Sequence, residues 1–254
     1  MKITLRLAGQ MAGVNKSMPQ TMQKGCVLIP AYLEEKRIRA VVQQARQYVA
    51  DVIVVDDGSP DKTSEEAAAA GAVVLRHEKN LGKGKALNTG FAYAAKNNFE
   101  FIITMDADGQ HAPEDIPSFV TAYRSMGVSV LVGNRMTAPK GMPFVRKMTN
   151  RFMSWYLSRG MGQTVPDTQS GYRLYGASVL PYLDAEASRY AAESETLLRL
   201  AAHKIKIGSV PIRVIYRGDE KSKIRPFRDT WRFFAMVRRF RKKQKSHNIQ
   251  LQTS

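Results

Sequence analysis

The chain has 254 residues, 44% of them hydrophobic, enough for one large domain with its own core. A formal net charge of +17 favours phosphorylated or anionic partners: nucleic acid, anionic lipid or phosphate-bearing substrates. No recognised nucleic-acid-binding motif accompanies that charge, so nucleic acid is not the expected partner. The single cysteine, Cys26, excludes an internal disulfide and fits a reducing compartment, and no stretch reaches the ~20 apolar residues that span a bilayer.

The opening residues, 1–24, have a short apolar run broken by Arg6, Gly9 and Gln10, unlike a secretory leader. They read as a flexible extension. Cys26–Pro30 is an apolar run ending at proline, the pattern of a buried strand. Ile38, Val41, Val42, Ala45 and Val49 then recur at helical spacing. Val52–Val55 forms a second strand, closed by Asp56-Asp57-Gly58-Ser59-Pro60, and residues 61–70 an alanine-rich helix. Ala72–Leu75 is a third strand. Gly82-Lys83-Gly84-Lys85 opens another helix, and Phe101–Met105 is a fourth strand. Pro113 marks the start of a helix, with Pro117 still in its first turns, and Val130–Gly133 is a fifth strand.

Later elements are less regular. Residues 143–159 read as a helix, 167–176 as a loop and then a strand, and 193–203 as a helix followed by an alternating apolar segment. From Lys221 onward there are eleven Lys or Arg and one acid, Asp229. In that tail Trp231, Phe234, Val237 and Phe240 form an apolar helical stripe among cations, a pattern that can lie on an anionic membrane surface.

Strands alternating with helices predict an α/β fold with a mostly parallel sheet covered on both faces. Such a sheet binds ligand at the carboxyl ends of its strands. Three clusters fall there: Pro30-Ala31-Tyr32, Asp56-Asp57-Gly58 and Asp106-Ala107-Asp108. In an extended segment residues two apart face the same side, so Asp106 and Asp108 can meet one cation. Hard oxygen ligands suit Mg²⁺ or Mn²⁺, which also accept phosphate oxygens. Gln110 can add an amide oxygen. His111 beside them is more often structural. Taken alone, Asp56-Asp57-Gly58 is equally a simple turn, and Gly82-Lys83-Gly84-Lys85 matches neither the P-loop nor the dinucleotide fingerprint.

In order and spacing, VLIPAYLEE, VIVVDDGSPDKT, NLGKGKALNTG, ITMDADGQHAPEDIP, VGNRM and DTQSGYRLY resemble the family-2 glycosyltransferases. The nearest resemblance is to polyprenyl-phosphate sugar synthases of the dolichyl-phosphate mannose and glucose type, over roughly residues 25–225. The resemblance implies a GT-A nucleotide-sugar-binding domain at 25–226, between the extension and a basic amphipathic tail at 227–254. It implies a nucleotide-sugar donor, linked to UDP or GDP, held by Pro30, Tyr32, Glu34, Asp57, Lys85, Asp106, Ala107, Asp108 and Gln169, with Mg²⁺ or Mn²⁺ on Asp106, Asp108 and Gln110. It places Arg135, Arg146, Arg151, Ser170 and Arg173 at an acceptor phosphate, and makes Asp167, with Arg135, the catalytic candidate. Glu193 and Glu195 are weaker candidates, since acids are favoured in a helix's first turn. Ser222, Lys223 and Arg225 loosely match a late Ser-Lys pair near the donor phosphates.

The expected reaction is inverting transfer to a polyprenyl or dolichyl phosphate. The expected location is cytoplasmic, peripheral to the inner face of a membrane, with a membrane protein as a further partner. The alternative is a sugar-hydroxyl acceptor in cell-surface polysaccharide or glycolipid synthesis.

Overall fold

The computed structural model describes residues 4–6, 24–137, 139, 141–183, 191–215, 233–240 and 242. Ser222, Lys223 and Arg225, and most of the expected extension and tail, lie outside them. The apolar runs become strands: β1 Thr4–Arg6, β2 Gly25–Ala31, β3 Asp51–Asp56, β4 Val73–Arg76, β5 Phe101–Thr104, β6 Val130–Asn134, β7 Arg173–Gly176 and β8 Ile207–Pro211. They form one sheet in the order β1-β4-β3-β2-β5-β7-β6-β8. β2, β3, β4 and β5 run parallel, as do β6 and β8; β1 and β7 pair antiparallel with their neighbours. Thr4–Arg6, within the expected extension, thus sit on the sheet's edge against Val74–Arg76.

The central strands are apolar without interruption because both their faces are covered, and alternate residues serve opposite sides. Val27, Ile29, Val52, Val54 and Ile103 face α1 (Ile38–Ala45), α2 (Thr63–Ala69) and α4 (Ile116–Met126). Cys26, Leu28, Ile53, Val55 and Ile102 face α3 (Lys83–Lys96) and α6 (Ala191–Ala202). The helix expected at Pro113 begins as a 3₁₀ turn, Pro113–Asp115, and becomes α-helical at Ile116.

The helix α5 (Phe144–Met161) lies outside this sandwich. Its Met153 and Leu157 join Leu198 of α6 and Phe233, Met236 and Val237 of a further helix, α7 (233–240). Of the expected Trp231-Phe234-Val237-Phe240 line, Val237 is buried and Phe240 packs against this cluster, Phe233 and Met236 join them, and Trp231 lies outside the described residues. Phe234 is exposed and meets Tyr156 and Phe152 of α5 edgewise and obliquely. The tail's apolar stripe is expected at a membrane surface, whereas part of it is used against α5 and α6. One placement matters most for the site: because β7 runs against β5, with Thr104 opposite Arg173, it delivers the 167–172 loop to the edge where the parallel strands end.

Candidate active site

At the ends of β2 and β3 the loops brace each other. Ser59 accepts from the Leu33 N–H at 3.0 Å and Thr63 from the Glu34 N–H at 2.9 Å. Asp56 is fully buried, accepting from the Ser59 N–H at 2.9 Å and from the Ser64 hydroxyl. Glu34 is buried and pairs with Arg37 at 3.2 Å, while Tyr32 is exposed beside it and Pro30 is half-buried.

Asp57, expected at the base or ribose, is turned toward the protein itself. Its oxygens accept from the N–H groups of Leu81 (2.9 Å) and Gly82 (2.7 Å) and lie 2.7 Å from His77 Nδ1. His77 Nε2 in turn meets the Thr89 hydroxyl at 2.9 Å. Asp57 thereby fixes the loop that starts α3, where Gly82 has φ +92°, a conformation that disfavours side chains.

That helix start decides which lysine enters the site. Lys85, the expected donor ligand, is exposed. Lys83, two residues earlier and about 200° round the helix, points inward. Its ammonium lies 2.5 Å from Asp106 Oδ1 and 2.7 Å from Glu193 Oε1. Burial opposes the charge on Lys83, but the two carboxylates overcome it and raise its pKa above the ordinary lysine value. Burial would likewise raise Asp106; the Lys83 ammonium and the Arg135 guanidinium instead hold it well below the usual carboxylate range.

Asp106-Ala107-Asp108 itself is a turn rather than an extended end. Asp108 Oδ1 accepts the Gln110 N–H at 3.0 Å, and Gly109 takes φ +75°. His111 Nδ1 accepts the Asp106 N–H at 3.0 Å, which leaves the ring proton on Nε2. The ring is buried and stacks on Tyr172 with centroids 4.9 Å apart, a structural histidine as expected. Gln110's carbonyl accepts from the Ile215 N–H at 3.0 Å, so the chain after β8 runs alongside this turn. Among the described residues no cluster of three His, Cys, Asp or Glu side chains stands ready for a metal. Two strand-end carboxylates nonetheless fit Mg²⁺ or Mn²⁺, ions that complete their shells with water and substrate phosphates. The ammonium already seated on Asp106 shows that the place accepts a cation.

Across the cleft, Asp167 and Arg135 hold each other. The guanidinium forks onto both carboxylate oxygens, Nε to Oδ2 at 2.6 Å and NH2 to Oδ1 at 2.8 Å, and the Arg135 N–H adds a third bond at 3.1 Å. Both residues are buried. Such a planar, two-bond pair is among the strongest polar contacts available. Asp167, the catalytic candidate, is thus engaged by Arg135 at both carboxylate oxygens.

Arg173, expected at the acceptor phosphate, is 1% exposed. It donates to the carbonyls of Ser170 (2.7 Å), Glu193 (2.7 Å) and Thr168 (2.9 Å) and to the Tyr175 hydroxyl (3.3 Å). It is the internal frame of the 167–171 loop, out of an acceptor's reach, because a fully buried guanidinium must spend its donors on the chain. Gln169 bonds Thr168 and Ser194 at 3.0 and 3.2 Å. Ser170 is fully buried and its hydroxyl has no hydrogen-bond partner among the described residues. Gly171 is required by space: a Cβ there would come within 2.9 Å of Glu193 Oε1 and 3.1 Å of Asp106 Oδ1.

On α5 the two expected phosphate ligands part company. Arg146 lies on the inward side with its Nε buried and without a partner among the described residues, whereas Arg151 is exposed. Glu195 pairs with Arg199 at 3.3 Å and Arg239 of α7 at 3.5 Å, away from Lys83. Lys83 and Glu193 are the site residues least visible in sequence. The signal for Lys83 was its place as first helical residue after Gly82.

These elements agree with known proteins. Residues 26–181 match the family model described as Glycosyl transferase family 2. The chain is 35% identical over 213 residues to the UDP-N-acetylglucosamine–dolichyl-phosphate N-acetylglucosaminyltransferase of Methanococcus voltae, covering 75% of this chain and 85% of that one. It is 31% identical over 210 residues to the undecaprenyl-phosphate mannosyltransferase of Micrococcus luteus, covering 78% and 86%. Among solved structures, glucosyl-3-phosphoglycerate synthase of Mycobacterium tuberculosis, in complex with Mn²⁺, uridine diphosphate and glucosyl-3-phosphoglycerate, superposes with a TM-score of 0.67 at 20% identity, over 92% of this chain and 88% of that one. That likeness identifies the fold as GT-A. With the fold and the family match in agreement, this chain belongs to glycosyl transferase family 2.

Proposed function

We propose that the chain moves a sugar, with inversion, from a UDP- or GDP-linked donor to a polyprenyl or dolichyl phosphate at the cytoplasmic face of a membrane. The observation that carries this reading is the Arg135–Asp167 pair. A sugar hydroxyl needs a carboxylate base to attack efficiently, a contribution of typically ~10²–10⁴-fold. Here Asp167 is committed to Arg135, and Glu193 to Lys83. A lipid phosphate is already anionic and attacks the anomeric carbon unaided. Arg135, braced by Asp167, and the inward Arg146 would receive it through planar donors matched to phosphate oxygens. The names of the Methanococcus and Micrococcus relatives support the same acceptor class.

On the donor side, Asp57 and His77 hold the loop that aims Lys83 at the strand ends, and Lys83 would stabilise the departing diphosphate. A divalent ion on Asp106 and Asp108, with Gln110 adjacent, would supply further positive charge where the leaving group becomes more negative.

Peripheral membrane contact has its own support. No helix among the described residues is long and apolar enough to cross a bilayer. The outward side of α5, opposite its buried Asn150, Met153, Ser154 and Leu157, carries Phe144 (74% exposed), Val145, Met148, Phe152 and Trp155 (59% exposed). The exposed cations Arg151 and Arg159 lie on the same helix. Aromatic and aliphatic side chains sharing a helix with cations suit the interface of an anionic bilayer. The inner face of the same helix holds the acceptor-side loop through Ser154, whose hydroxyl accepts the Thr168 N–H at 2.9 Å.

The test is transfer of labelled sugar from UDP- and GDP-sugars to polyprenyl phosphate with Mn²⁺ or Mg²⁺. A lipid product cleaved by mild acid, as glycosyl phosphates are, is expected. An acid-resistant product would refute the phosphate acceptor.

A further inference from the structure

Lys83 sits where a cation on Asp106 would compete with it. Its ammonium lies 2.5 Å from Asp106 Oδ1 and 2.7 Å from Glu193 Oε1. Of the three partners, only Lys83 has a long unbranched stem on which to swing. Glu193 is fixed through its own backbone, whose carbonyl accepts from buried Arg173 at 2.7 Å. Asp106 is held at its N–H by His111 at 3.0 Å. Gly171 lies against both carboxylates, so close that even a methyl group would crowd them. The three charged groups therefore form a closed set: one ammonium shared by two anchored carboxylates. A divalent ion arriving on Asp106 would bring two positive charges against the ammonium, and like charges a few ångströms apart repel strongly in a partly buried site.

We propose that Lys83 is an exchangeable guard cation. In the donor-free protein it occupies Asp106 and suppresses metal binding there. When metal and nucleotide diphosphate arrive together it leaves Asp106 for the diphosphate, and Glu193 is the anchor that draws it back after release. Metal and nucleotide then bind with positive coupling: each alone must disturb the ammonium–carboxylate set, and together they replace it. This inference rests on the donor-site reading of Asp106 and Asp108.

The test is Mn²⁺ binding followed by electron paramagnetic resonance, and UDP and GDP binding by calorimetry, each alone and with the other present. In Lys83→Met, Mn²⁺ alone should bind about tenfold tighter, because the competing charge is gone. The nucleotide that binds the wild type should bind about tenfold more weakly in the presence of Mn²⁺, because its ammonium partner is gone. In Glu193→Gln the guard loses one anchor, so nucleotide without metal should bind several-fold tighter than in wild type. Circular dichroism and melting curves establish that each variant is folded, and Glu193→Gln tests the exchange independently if Lys83→Met does not fold.

Unchanged or weaker binding of Mn²⁺ alone to folded Lys83→Met would overturn the guard, as would unchanged metal-free nucleotide binding in Glu193→Gln. Asp106→Asn separates the two levels. If the wild type binds Mn²⁺ with nucleotide and Asp106→Asn does not, the donor site stands whatever Lys83 does. If Asp106→Asn binds both as the wild type does, the donor-site reading itself falls.

Discussion

The two sides of the cleft are built differently. On the donor side, under β2 to β5, polar groups are engaged by the chain itself: Asp56 with Ser59 and Ser64, Asp57 with Leu81, Gly82 and His77, Lys83 with Asp106 and Glu193. On the acceptor side, between α5 and the 167–171 loop, a strong pair and a buried frame stand beside groups with nothing to hold. Among the described residues Ser170 Oγ, Arg146 Nε and Arg199 Nε are buried without hydrogen-bond partners, and the outward face of α5 is apolar and exposed. Burying polar atoms unsatisfied costs stability, and the proposed acceptor would satisfy Ser170 and Arg146. A donor side braced by its own chain and an opposite side with unpartnered polar atoms would suit the lipid-phosphate acceptor proposed above.

Substitutions can break this contrast in a graded way. The largest effect is expected at Asp106→Ala or Asp108→Ala, where loss of charge stabilisation at the leaving group should cut turnover by about 10²–10³-fold and abolish stabilisation by nucleotide-sugar with Mn²⁺ in a thermal-shift assay. Activity persisting in both variants would remove the donor side from the account. Next is Arg173→Met. It leaves the carbonyls of Thr168, Ser170 and Glu193 without that donor, so a loss of about 3 kcal/mol or more is expected. Chemical denaturation should show it, together with weakened binding of donor and acceptor alike, whereas a surface phosphate ligand would lose acceptor binding alone.

Asp167→Asn is expected to act through Arg135. It replaces an ionised fork with a weaker amide contact, so KM for polyprenyl phosphate should rise by about tenfold while kcat falls less. A fall confined to kcat would point instead to a base. On α5, Phe144→Ser with Phe152→Ser and Trp155→Ser should weaken binding to anionic vesicles by about tenfold or more. Transfer to a short water-soluble polyprenyl phosphate should be unaffected. Equal loss in both assays would mean that the face supports the fold rather than a membrane. The smallest effect is reserved for Lys85→Ala, whose side chain is exposed and turned from the cleft: no measurable change in nucleotide binding is expected in calorimetry.

Much of the fold was readable in sequence because buried parallel strands advertise themselves as unbroken apolar runs. The Asp106-Ala107-Asp108 motif was readable because it follows one of them. Pairings across the chain were not. Asp167 is separated from Arg135 by 32 positions, and no periodicity announces that the two neutralise each other. Lys83 and Lys85 are equal in composition, and only the onset of α3 at Lys83 turns one inward. The family resemblance puts Arg173 at an acceptor phosphate; the antiparallel insertion of β7 buries it instead. In the tail, Val237 and Phe240 of the expected stripe do pack, while contact with α5 and α6 adds Phe233 and Met236 and leaves Phe234 exposed, a choice that overlapping apolar lines in RDTWRFFAMVRRF do not reveal.

The most direct measurement is a matched comparison of two acceptors identical except for the phosphate, polyprenyl phosphate and polyprenol, offered at equal concentration with the same labelled donor and Mn²⁺. The account predicts acid-labile labelled lipid from polyprenyl phosphate and none from polyprenol, with both signals absent in Asp106→Ala. Labelling of polyprenol at a rate equal to or above that of its phosphate would contradict it.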